Sequence, residues 1–80
     1  MNHGEFIVNQ ALVKHHLLDV YEGLERGSLE IARFSLSDIK EILESMDLHA
    51  RETLLENQGA GIVFAQMAVK MAEDGVRWGW

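Results

Sequence analysis

Apolar positions along this chain recur at steps of three and four, and the register persists long enough to predict helices and not strands. A first run passes through Phe6, Gln10, Val13, Leu17, Val20 and Leu24, with a second apolar line at Ile7, Ala11, Leu18 and Tyr21. His15, Asp19, Glu22 and Arg26 occupy the opposite face, and Gly27 is a good stop, which predicts a helix over about residues 5–26. Residues 28–34 (Ser-Leu-Glu-Ile-Ala-Arg-Phe) fit either an extended connector or an extra short helical turn, the connector being the preferred reading.

A second helix is predicted over about residues 35–57. Ser35 and Asp38 form a capping-box-like pair at its start, with Phe34 and Ile39 as a hydrophobic staple across it. Leu36, Ile39, Leu43, Met46, Ala50 and Leu54 make the apolar stripe, and Asp47 is a plausible new N-cap at which the helix kinks or restarts. Asn57 to Gly61 (Asn-Gln-Gly-Ala-Gly) reads as a turn. A third helix then covers about residues 61–74, closed by Gly75. Along it Gly61, Ala65, Ala68, Ala72 and Gly75 share one face, while Ile62, Val63, Phe64, Met67, Val69 and Met71 cover most of the rest.

A helix apolar almost all round must be buried almost all round. A chain of 80 residues offers little protein to surround it, and domains this small bury only about 60% of their unfolded surface. The chain has no cysteine, so neither disulfides nor thiolate-bound metals can help. The predicted fold is therefore all-α: a single helical domain over residues 1–80, its third helix paired in a homodimer. Gly61, Ala65, Ala68 and Ala72, with Phe64, Met67 and Met71, are the expected oligomer interface.

Charge narrows the functional class. The net charge is −6, from 13 acidic and 7 basic residues. Residues 1–27 hold four acids and two bases, residues 28–58 seven and three, and residues 59–80 two of each. Direct nucleic-acid binding is disfavoured, because phosphate contacts call for a basic footprint. The exposed start of the second helix, with Asp38 and Glu41, also lacks the side chains that read base edges. No apolar run reaches the ~18–20 residues of a bilayer span, and the best stretch, residues 60–72, contains Gln66 and Lys70. The N-terminus has no basic n-region, so the expected location is the cytoplasm.

Catalytic chemistry finds little footing. There is no assembled nucleophile, base and acid, and no glycine-rich phosphate loop, so neither an enzyme nor a cofactor is expected. His15, Asp19 and Glu22 share a helical face in metal-ligand fashion, but Glu22 and Arg26 are also an ordinary i, i+4 ion pair. His16 and His49 read as surface residues, and no metal is expected. The primary expectation is a non-catalytic protein-interaction module, an inhibitor or adaptor that occludes or bridges a protein partner with a basic surface. Small acidic chains of this class include viral inhibitors aimed at nucleic-acid-binding host machinery. The expected partner-binding residues are Glu41, Glu44 and Glu52 on the acidic second helix, with Trp78 and Trp80 near the C-terminus. The alternative is a small-ligand or metal-binding module with its site between subunits, at His15, Asp19 and Glu22 or at the Gly59 to Gly61 turn. A membrane-surface role for the third helix ranks last, since its only cationic neighbours are Lys70 and Arg77.

Overall fold

The computed structural model describes residues 2–75 and is all-helical over them: α1 (His3–Glu25), α2 (Leu29–Ser45) and α3 (Leu48–Glu73). Each start is capped by its preceding side chain. Asn2 accepts from the Glu5 N–H, Ser28 from Ile31 and Asp47 from Ala50. The Ala50 N–H bond is also the main reason the Asp47 carboxyl lies below its ordinary pKa.

The first helix ends where the sequence predicts. Gly27 adopts φ +75°, its N–H donates to Leu24 and the Ser28 N–H donates to Gly23, which is a complete Schellman motif. The rest of the segmentation differs. The expected connector at residues 28–34 is helical, so α2 begins at Leu29 with Ser28 as its cap. Ser35 is not a cap; it lies within α2 and is buried, while Phe34, the supposed staple, is 65% exposed. The reason is register: Leu29 and Ala32 extend the Leu36, Ile39, Leu43, Met46 stripe backwards at the same three-four spacing. Once Gly27 has ended α1, nothing delays the next helix beyond Ser28.

The expected helix over 35–57 breaks instead at Met46 and Asp47, the restart point that Asp47 marked. Arg51 then reaches back to close the end of α2. Its Nε donates to the Leu43 carbonyl at 2.9 Å and its Nη2 to the Met46 carbonyl at 3.1 Å, satisfying oxygens that a helix end leaves unpaired. The expected turn at residues 57–61 does not exist, since α3 runs straight through it. Neither Gly59 nor Gly61 has positive φ, and Leu54, Gln58, Gly61, Ile62 and Ala65 keep one inward register across the segment. Because α3 starts at Leu48, its first turns are polar, and the nearly all-apolar stretch is confined to about residues 60–72.

The helices pack up-down-up. Contacts between α1 and α3 advance together along both, from the Gln58 side chain on the Gln10 carbonyl to the Tyr21 ring beside Phe64, so these two helices are parallel. One core cluster holds Val13, Ile39, Met46, Ala50, Leu54 and Ile62; the other holds Val20, Leu24, Ala32, Ala65, Ala68 and Val69. Three alanines in the second cluster bring the helices close. At this end Gly23 crosses α2 so tightly that a Cβ there would stand 3.0 Å from the Ala32 nitrogen.

Candidate functional site

The stripe of small residues on α3 is filled by the chain's own helices. Ala65 and Ala68 are buried against Val20, Leu24 and Ala32. Gly61 faces Leu17 and accepts the Tyr21 hydroxyl on its carbonyl at 3.3 Å, and Ala72 is half-buried. Burial raises the Tyr21 pKa above its ordinary value. The larger members of the expected interface lie elsewhere: Phe64 and Met67 are each 57% exposed and Met71 45%, with Val63 beside them in the open. The seven residues therefore divide into four that build the intramolecular core and three that stand on its outside.

These exposed side chains continue onto α1. The Tyr21 and Phe64 rings meet at 6.4 Å between centroids, and Leu18, one turn before Tyr21 on the same side, is exposed. Ala11 and Ile7 carry that line towards the start of α1, and both are exposed. The second apolar line of the first helix was thus the sequence signal for this face, though nothing in the sequence said that α3 would lie beside it. Lys14 stands within the line and Glu25 at its upper end, both exposed. Ala60, Phe64, Met67 and Met71 repeat at four, three and four residues on α3, as Ile7, Ala11, Lys14, Leu18 and Tyr21 do on α1.

Glu41, Glu44 and Glu52 are all exposed, but they do not share a helix. Glu41 and Glu44 stand near the end of α2, and Glu52 lies past the Met46–Asp47 break on α3. Trp78 and Trp80 lie outside the described residues.

Within one chain, neither ligand set considered from sequence forms a site by itself. Glu22 of the His15, Asp19, Glu22 face is in an ion pair with Arg26. Asp19 lies 4.0 Å from His16, whose Nδ1 is also 3.9 Å from Asp38 on α2. Among the described residues no group of three or more His, Asp or Glu side chains is placed to hold a metal ion. The Gly59 to Gly61 segment, being helix interior, has no free N–H groups to offer an anion. Among the described residues are two open clefts. One of about 350 Å³ between the starts of α1 and α3 is lined by Asn2, His3, Phe6, His49, Ala50 and Thr53. The other, about 300 Å³, lies on α2 at Glu30, Arg33, Phe34 and Ser37. Among the described residues no helix is long and apolar enough to cross a membrane. Comparison with protein-family models, with curated proteins and with solved structures finds no match to this chain.

Proposed function

We propose that this chain is a non-catalytic helical interaction module that self-associates and engages a protein partner with a basic surface, as an inhibitor or adaptor. One observation supports it above the others: three helices close a core among themselves, yet Val63, Phe64, Met67 and Met71 stay in water on one side. Apolar surface gathered in this way marks an interaction site. Glu41, Glu44 and Glu52 are exposed and are not members of this apolar group, so they offer an acidic contact of a different kind. A small-ligand or metal-binding reading loses the Gly59 to Gly61 turn, which lies inside α3, and would rest on His15, Asp19 and Glu22 at a contact between subunits.

The test is capture from lysate by tagged wild type and by the triple variant Glu41→Lys, Glu44→Lys, Glu52→Lys. Proteins held by the acidic surface disappear from the variant's captured set at moderate salt. An identical set from both proteins overturns the electrostatic half of the proposal.

A further inference from the structure

We propose that the exposed apolar face shared by α1 and α3 is occupied by a second copy of this chain, related by a twofold axis perpendicular to the helices. The inference rests on the interaction-module reading and specifies its self-association. Three features single out a second copy as the occupant.

The first is area. Six side chains on this face (Ile7, Leu18, Val63, Phe64, Met67 and Met71) are each roughly half exposed. Together they present on the order of 500–600 Å² of apolar surface, the upper end of what a monomer leaves open. Two such faces together bury about 1,000–1,200 Å², the threshold of a specific interface.

The second is net charge. Two chains of −6 repel at every acidic surface. They meet with least repulsion at the apolar centre of this face, among Leu18, Phe64, Met67 and Met71, with the acids Glu22, Glu25, Glu56 and Asp74 and the bases Lys14 and Lys70 around it.

The third is the order of residues along α1. On the exposed line Lys14, Leu18, Tyr21 and Glu25 are spaced by four, three and four. A twofold axis passing between Leu18 and Tyr21 sets Lys14 of each copy opposite Glu25 of the other and Leu18 opposite Tyr21. The line is therefore complementary to its own reverse, as an isologous contact requires. Neither Lys14 nor Glu25 has an ion-pair partner among the described residues. The Phe64, Met67, Met71 line on α3 flanks this centre, and methionine adapts readily to a repeated surface.

The experiment measures the mass of the 80-residue chain by light scattering and sedimentation equilibrium over a wide concentration range. Wild type is expected at twice 9.1 kDa. Phe64→Glu with Met67→Glu, and separately Ala60→Glu on the same exposed line, are expected to weaken association at least about tenfold, with unchanged helical circular dichroism. Lys14→Glu weakens it as well, and adding Glu25→Lys to the same chain restores it. The Glu41, Glu44, Glu52 lysine triple leaves the mass unchanged, so loss of partner capture and loss of dimer are separate readouts. A wild type that stays at 9.1 kDa at every concentration overturns the inference, and co-sedimentation of that monomer with phosphatidylcholine vesicles would reassign the face to lipid. A dimer unaffected by both α3 variants, or one that the acidic triple dissociates, overturns it too.

Discussion

Gly23 and Gly27 stand four residues apart on the first helix and its exit, and they answer different demands. Gly27 has φ +75° with open space around it, so its requirement is conformational. Gly23 has ordinary helical geometry but meets the Ala32 nitrogen, the Ser28 carbonyl oxygen and Ile31 within 3.0–3.2 Å of a virtual Cβ. Two of those three atoms are backbone and cannot swing aside. Gly23→Ala should therefore lower stability by about 1–2 kcal/mol, even though alanine favours the helix itself; a urea unfolding midpoint at or above wild type would contradict the packing described. Gly27 was legible in the sequence because a glycine after an apolar run is a stop signal. Gly23 was not, because its constraint comes from α2, distant from it in no local pattern. Arg51 was hidden for the same reason: a charged side chain in a helical run reads as solvated, and only the break at Met46 gives its guanidinium two carbonyls to close.

At the scale of elements, three helices and their shared apolar register were readable, but two of the joints were misplaced. Ser35 with Asp38 has the composition of a cap, yet Ser28 lies directly after a helix stop and begins a longer amphipathic run. Burial of Ala32 and Ile39 on one side of α2 decides between them. The Asn57 to Gly61 segment shows the converse: glycine-rich composition says turn, and the inward line from Leu54 to Ile62 says helix. Tertiary burial outweighs a propensity cost of about 1 kcal/mol for each glycine. That cost is recoverable. A Cβ on Gly61 would meet Leu17 at 3.7 Å, and one on Gly59 only Leu55 of its own helix at 3.6 Å. Gly59→Ala and Gly61→Ala should each raise stability by about 0.5–1 kcal/mol; thermal unfolding that moves down in both variants would restore a turn at this position.

For the whole molecule, the two proposed contacts, one mainly apolar and one acidic, respond oppositely to salt. Raising sodium chloride from roughly 0.1 to 1 M shortens the Debye length from about 10 to about 3 Å. Self-association should tighten as repulsion between two −6 chains is screened, while capture of a basic partner should weaken; sedimentation and pull-down at both salts measure the two slopes, and slopes of the same sign would mean one surface serves both contacts. The apolar half of this arrangement was legible as an excess that had to be covered. The sequence could not say which part of the excess the chain covers itself, because that depends on α1 lying parallel to α3. The same parallel pair has an electrostatic consequence. Each helix carries about half an elementary charge at either end, and an odd number of helices leaves one of these macrodipoles uncancelled along the 41 Å axis of the molecule. The pole formed by the starts of α1 and α3 is the positive one. Two copies joined about a perpendicular twofold axis lie head to tail, so each sets its positive pole beside the other's negative pole and the assembled pair has no net axial dipole.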